Sequence, residues 1–218
     1  MKYINKTKIP QFFIDDTIDL NSWSEYFGDK KRVLKTYLLE NEQNYLCGYC
    51  ESKVTLDSSH IEHIKPKSFD VDTLTFKYTN LLVSCNGICY SSNNTPENCG
   101  HKKAEDFNEI LFLDPTQLDK IRDFFKYSND GKIDSSGLDE IKALYTINLL
   151  KLNTFNNNLQ EARKKALLEF RESVIKYSNQ TGREVKEIAI ILLNKENLAF
   201  ISFLRYQYKN ILMERNNV

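Results

Sequence analysis

The chain has 218 residues, 41 % hydrophobic and 28 % charged, a balance too apolar for a disordered polypeptide and sufficient for one substantial core. Its 30 basic and 30 acidic side chains cancel, which excludes a global field able to hold a polyanion, so any nucleic-acid contact has to use local basic clusters or a partner. The longest apolar run, "IAIILL" (188–193), is far short of the roughly 20 residues that span a bilayer, and the start "MKYINKTKIPQFF" lacks a signal-peptide pattern, so a cytoplasmic protein with no membrane role is expected.

Residues 1–46 are predicted to form a lead-in, irregular around Pro10 and an acidic "DDTIDLNSWSEYFGDK" and then helical in "KKRVLKTYLLENEQ", where Val33, Tyr37 and Leu38 recur at helical spacing. Residues 47–110 change character. Every cysteine (Cys47, Cys50, Cys85, Cys89, Cys99) and every histidine (His60, His63, His101) lies here, with few periodic apolar runs and the polar stretch "YSSNNTPENCG". Such a segment needs something besides a core to hold it, and a metal is the usual answer.

Residues 111–137 follow, with "LFLDPTQ" (111–117) and "FFKYSNDGKID" (124–134) expected as short strands or extended pieces. Asn129, Asp130 and Gly131 supply the positive-φ tolerance that a hairpin turn requires. From 138 to 218 the pattern is helical. Leu138, Ile141, Tyr145, Leu149 and Leu152 step by three and four, as do Leu159, Ala162, Ala166, Phe170, Val174 and Tyr177; two further runs cover 185–193 and 198–212. These stripes predict a helical bundle core, and Phe200 and Phe203 are expected as an exposed pair that could serve a partner protein.

An odd number of cysteines confined to one window of a chain expected in the cytoplasm favours metal binding over disulfides. "CGYC" (Cys47, Cys50) is a Cys-x-x-Cys knuckle, and Cys85, Cys89 and Cys99 lie at the distance where a second knuckle closes a tetrahedral zinc site. Spacing alone leaves Cys89 and Cys99 as alternatives for the fourth ligand. The histidines suit metal-assisted attack of water on a phosphodiester, which needs a neutral imidazole as base and a divalent ion held by carboxylate and imidazole; Glu62, His63 and His101 offer those groups. In a straight strand, however, His60 and Glu62 share one face while His63 points to the other. Bare alternation therefore suggests a His60–Glu62 chelate, unless a strand end or bulge near Pro66 lets Glu62 and His63 converge.

Taken in order, "CGYCE", "HIEHIKP", "NLLVSC" and "CGHKK" resemble the HNH, or ββα-metal, endonuclease family in its zinc-bearing variant. With the flanks "YLLENEQNYLCGYCE" and "LFLDPTQ", they resemble most a subgroup made of the PtuB-like HNH partner of Septu-type anti-phage defence and the HNH proteins encoded beside retrons. The resemblance implies an α+β protein with a zinc-stapled ββα-metal core embedded in a mainly helical chain. It implies a DNA endonuclease leaving 5′-phosphate ends, with Zn²⁺ in a structural role and Mg²⁺ or Mn²⁺ in a catalytic one. It further implies an ATPase partner of the SMC or ABC type (PtuA-like) in a defence complex, or a retron reverse transcriptase with its RNA–DNA.

Residue by residue, the resemblance makes Cys47, Cys50, Cys85 and Cys99 the zinc ligands, leaving Cys89 as an extra. Glu62 becomes the acidic ligand of the catalytic ion, His63 the general base and Asn80 the asparagine that braces the site. Gly100 stands where many relatives carry a ligating asparagine, so His101 is the proposed replacement. Lys103 matches a lysine near the scissile phosphate, Lys65 and Lys67 are possible phosphate contacts, and His60, without a family counterpart, is expected to line the site without ligating. Cleavage of RNA such as tRNA, or a zinc-stabilised adaptor with an inactive site, are the competing readings.

Overall fold

A computed structural model describes residues 1–87, 98–103, 107–153 and 159–215. The chain opens with helix α1 (Gln11–Thr17) and helix α2 (Gly28–Leu38), the second running into one π-helical turn over Leu39–Gln43. Strand β1 (Ser59–His63), the short helix α3 (Val71–Leu74), strand β2 (Leu81–Cys85) and helix α4 (Cys99–Lys103) follow. A hairpin of β3 (Phe125–Tyr127) and β4 (Ile133–Ser135) leads to helices α5 (Glu140–Leu149), α6 (Leu159–Thr181), α7 (Val185–Leu193), α8 (Ile201–Gln207) and α9 (Lys209–Arg215).

β1 and β2 pair antiparallel in unbroken register, from Ser59 opposite Cys85 to His63 opposite Leu81. β2 is buried along its whole length, as its run Leu81, Leu82, Val83 requires when both faces are covered. Gln43 locks the pair to the end of the first helical region. Its side chain accepts from the Val83 amide at 2.7 Å and donates to the Val83 carbonyl at 2.8 Å, replacing the neighbour that this stretch of β2 lacks.

One hydrophobic cluster runs through all four stretches of the chain, from Ile4 and Leu34 through Tyr49 and Leu82 to Ile147, Phe170 and Phe203. The 47–103 region is therefore held by a core as well as by its cysteines, more than its sparse periodicity suggests. The C-terminal helices lock onto the knuckle through Glu51, which follows Cys50 at a positive φ of 65°. Its buried carboxylate accepts from the Ser202 amide at 2.8 Å and hydroxyl at 2.5 Å, and its carbonyl accepts from the Phe200 amide at 2.9 Å.

Several sequence expectations are corrected by this packing. "LFLDPTQ" forms no strand; Asp114 instead caps the Thr116 amide at 2.7 Å and folds the segment back. The 125–135 hairpin is present, turning through Gly131 at φ 83°. On α2 the buried face carries Leu34 and Leu38 while Val33 is exposed. On α5 Ala143, Thr146 and Ile147 are buried, whereas Leu138 and Ile141 stand in solvent. Tyr177 is exposed at the far end of α6. Phe200 and Phe203, expected on the surface, are buried against the knuckle side. No helix is long and apolar enough to cross a membrane among the described residues.

Removing Glu51 leaves the buried Ser202 donors without an acceptor, an error of about 2 kcal/mol. Glu51→Ala is expected to lower the unfolding free energy by that amount in urea equilibrium unfolding, seen as a lower midpoint with unchanged slope, with α-helix signal lost in the same transition.

Candidate active site

The cysteines come from three separate stretches: Cys47 and Cys50 from the knuckle, Cys85 from the end of β2 and Cys99 from the first residue of α4. Their sulfurs all lie within 4.8 Å of one another, and all four side chains are buried. Cys50 Sγ and Cys85 Sγ are 3.9 Å apart, close to the spacing of about 3.8 Å that a tetrahedron with 2.3 Å metal–sulfur bonds demands. The Cys85 amide donates to Cys47 Sγ at 3.3 Å, the kind of bond that stabilises a thiolate ligand. Burial raises the Cys47 thiol, but hydrogen bonds from Cys50, Cys85 and Cys99 outweigh it and hold Cys47 well below the ordinary thiol range. Cys99 is pushed the other way by burial and by its bonds to Cys47 and Cys50. The group is a closed, four-sulfur cluster that could hold a metal ion, and Cys99 is part of it; Cys89 lies outside the described residues. Among the described residues it is the one group of three or more cysteine, histidine or acidic ligands drawn this tightly together.

Beside it lies a polar cluster built on β1. Glu62 Oε1 is 3.1 Å from Lys103 Nζ, and Glu62 Oε2 is 3.4 Å from His60 Nε2. Burial works against the Glu62 carboxylate, yet the Lys103 ammonium beside it holds it below its usual range. Lys103 is 1 % exposed, far from the solvated helix charge its sequence position allows, and also donates to the His63 carbonyl at 3.1 Å. Gly100 is what lets α4 approach so closely. A Cβ there would sit 2.7 Å from Glu62 Cδ and Oε2 and 2.9 Å from His60 Nε2, so residue 100 is glycine because the carboxylate and imidazole already occupy its side-chain direction.

His60 and His101 stack face to face, with ring centroids 3.9 Å apart and planes 14° from parallel. Both are clamped by Asn86, a residue the sequence analysis passed over although it directly follows Cys85 in "SCNG". Its backbone carbonyl receives His101 Nδ1 at 3.1 Å and its Oδ1 receives His60 Nδ1 at 3.2 Å.

His63 leaves β1 on the other face. The pairing runs unbroken through His63, so the bulge that would have let Glu62 and His63 converge is absent. The imidazole is buried edge-on to Trp23, centroids 4.6 Å apart, and its Nε2 lies 2.9 Å from the Thr75 carbonyl. A carbonyl only accepts, so the proton sits on Nε2 and the Nδ1 lone pair is left as the basic site. Burial pushes this imidazolium down from the ordinary range, with the Lys67 and Lys103 charges adding to the effect and Thr75 opposing it.

Asn80 directs its side-chain hydrogen bonds to the backbone around His63. Its side chain accepts from the Lys65 amide at 2.8 Å and donates to the Lys65 carbonyl at 3.0 Å, bracing the backbone just after the histidine. Lys65 itself pairs with Glu109. Trp23 and Thr75, which set the His63 ring, carry no motif that could have announced them.

No family model matches the chain. Two curated proteins do. One, named as an HNH endonuclease of retron Vc95 from Vibrio cholerae serotype O1 biovar El Tor, is 36 % identical over 157 residues, covering 69 % of this chain and 71 % of that protein. The other, named as an HNH endonuclease of retron Ec83 from Escherichia coli, is 28 % identical over 207 residues, covering 78 % and 80 %. The chain is thus a nuclease of the HNH endonuclease class, and within that class it belongs to the family of retron-associated HNH endonucleases.

Two outcomes are expected. Gly100→Ala should displace the Glu62 carboxylate and lower nuclease turnover by about tenfold or more, while the metal content of the four-cysteine site, read by mass spectrometry, is unchanged. Stripping that site with a chelator should abolish the cooperative thermal transition followed by circular dichroism, because the sulfur cluster joins three chain segments.

Proposed function

We propose that the protein is a metal-dependent endonuclease that hydrolyses DNA phosphodiester bonds. In this reading β1, β2 and α4 are the ββα-metal core, Zn²⁺ on Cys47, Cys50, Cys85 and Cys99 staples it, and Mg²⁺ or Mn²⁺ at Glu62 and one imidazole of the His60–His101 stack serves catalysis. The observation that carries the reading is the pairing of a lone-pair-bearing, desolvated His63 with a buried carboxylate on the adjacent residue, at the end of one strand.

His63 Nδ1 takes the proton of the attacking water, and Thr75 keeps the ring in the tautomer that allows it. Asn80 acts as a positioning residue by fixing the chain at Lys65. Lys103 holds the Glu62 carboxylate ionised and aimed. A divalent ion at Glu62 supplies charge neutralisation at the phosphoryl and leaving oxygens.

Because Glu62 and His63 face opposite sides of β1, the scissile phosphate has to lie across that strand near its C-terminal end. A groove of about 640 Å³ beside β1 suits this approach, lined by Trp23, Lys31, Arg32, Lys35, His60 and Ile61. Three cations against two aspartates, Asp29 and Asp57, line it, a small local excess of positive charge in a chain that is neutral overall, with Lys67 and Lys65 nearer the strand end.

The retron names of the relatives support a retron-related partner, a reverse transcriptase with its RNA–DNA; the Septu-type defence complex, with an ATPase of the SMC or ABC type, rests on the motif resemblance alone.

His63→Ala should reduce cleavage of duplex DNA by roughly 10²-fold or more; unchanged cleavage would overturn the assignment, and selective loss of tRNA in a parallel incubation would overturn the choice of DNA. The base works when neutral, and its pKa is lowered, so wild-type activity should persist to pH values below the ordinary histidine midpoint of about 6.5 and fall only as pH drops through the lowered value.

A further inference from the structure

We propose that His60, and not His101, is the imidazole ligand of the catalytic ion, and that it gives the site a preference for Mn²⁺ over Mg²⁺. This rests on the reading that a divalent ion binds at Glu62.

The Asn86 side chain settles the state of the His60 ring. Its Nδ2 donates to the Asp57 carbonyl at 3.2 Å, so Oδ1 is the atom turned to His60 Nδ1 at 3.2 Å. An amide oxygen only accepts, so Nδ1 carries the proton and Nε2 presents a lone pair. That Nε2 is buried and has no hydrogen-bond partner among the described residues, while the nearest charged atom, Glu62 Oε2 at 3.4 Å, is itself an acceptor. Two acceptors turned toward each other in a buried site repel unless a cation lies between them.

A protonated His60 would be one remedy, but 3.4 Å is long for a charge-assisted N–H···O bond, which closes to about 2.8 Å. Neighbouring ligands of an octahedral ion with bonds near 2.1 Å stand about 3 Å apart, a spacing reached by a small shift. Both atoms lie against the Gly100 backbone, where no side chain of that residue stands in the way of the shift.

His101 cannot share the same ion in this arrangement. A ring nitrogen donates in its own ring plane, and two rings stacked at 3.9 Å and 14° send their lone pairs along separate planes rather than to one point. His101 therefore backs the His60 ring, with Asn86 holding both Nδ1 atoms, in the manner of an outer group that orients a ligand. An imidazole donor favours Mn²⁺, whereas Mg²⁺ prefers oxygen ligands and water.

The test is Mn²⁺ binding to the zinc-loaded full chain, read by electron paramagnetic resonance of free Mn²⁺ and by calorimetry, with Mg²⁺ as competitor. Wild type, His60→Ala, His60→Gln, His101→Ala and Glu62→Ala are compared, with zinc content and circular dichroism confirming that each is folded. The expected result is a loss of Mn²⁺ affinity of about tenfold or more in both His60 variants and in Glu62→Ala, a change below about threefold in His101→Ala, and a narrowed Mn²⁺ over Mg²⁺ preference without His60. Loss with Glu62→Ala but wild-type binding in the His60 variants overturns the inference and leaves the Glu62 site standing. Wild-type binding in Glu62→Ala overturns the site itself, and the inference with it.

Discussion

Everything at this site depends on four sulfur atoms from three chain segments meeting within 4.8 Å. Cys85 closes β2 and Cys99 opens α4, so the requirement that both reach the knuckle fixes where the helix starts relative to the strands. Gly100 and Lys103 follow from that placement. One residue past Cys99, the helix backbone lies against the Glu62 carboxylate; one turn on, the Lys103 ammonium reaches the same group. The β1 side chains are equally constrained, because the register that sets Ser59 opposite Cys85 sets Glu62 opposite Leu82. A structural cluster with no open position thereby determines the geometry of a neighbouring polar one.

The two clusters differ in the way their electrostatics is resolved. In the sulfur group burial raises the Cys47 thiol while hydrogen bonds from three neighbouring thiols lower it, and the hydrogen bonds win. In the polar group the carboxylate is ionised by a buried lysine, and one of its oxygens is spent on that ion pair. The remaining oxygen looks at His60. Lys103 thus favours the charged form of Glu62 and leaves a single carboxylate oxygen turned to His60. Removing this lysine would return a buried carboxylate to the cost of its own desolvation.

Much of this was legible because it depends on residue type and order. The motif order pointed to Cys99, which does join Cys47, Cys50 and Cys85, where spacing had left Cys89 open, and the φ tolerance of Asn129, Asp130 and Gly131 led to the hairpin. What escaped was set by tertiary partners. Helical periodicity placed helices α5 to α8 along the chain but misjudged Ile141, Leu138 and Phe200, because which face of an apolar helix is buried depends on what packs against it. Asn80, expected to brace the site, clips the Lys65 backbone, but the groups that hold the His63 ring are a backbone carbonyl and a tryptophan between α1 and α2, forty residues upstream in sequence terms. A backbone carbonyl has no letter, so no pattern search could find it.

Strand alternation turns out to matter more than proximity in sequence. Glu62 and His63 are adjacent yet occupy opposite faces of an unbroken strand, while His60 and Glu62, two residues apart, look at each other. A chemistry that needs base and metal on the same phosphate therefore has to bring the phosphate to the strand's rim, where both faces are reachable, rather than into a pocket on one face. The groove beside β1 is lined by Ser59, His60 and Ile61 of that strand together with Lys31 and Arg32, and Trp23 both lines it and contacts His63. In the proposed reading, a polymer backbone passing from this groove over the strand end would meet His60, Glu62 and His63 in turn, so the alternation of side chains along one strand would set the distance between ion and base.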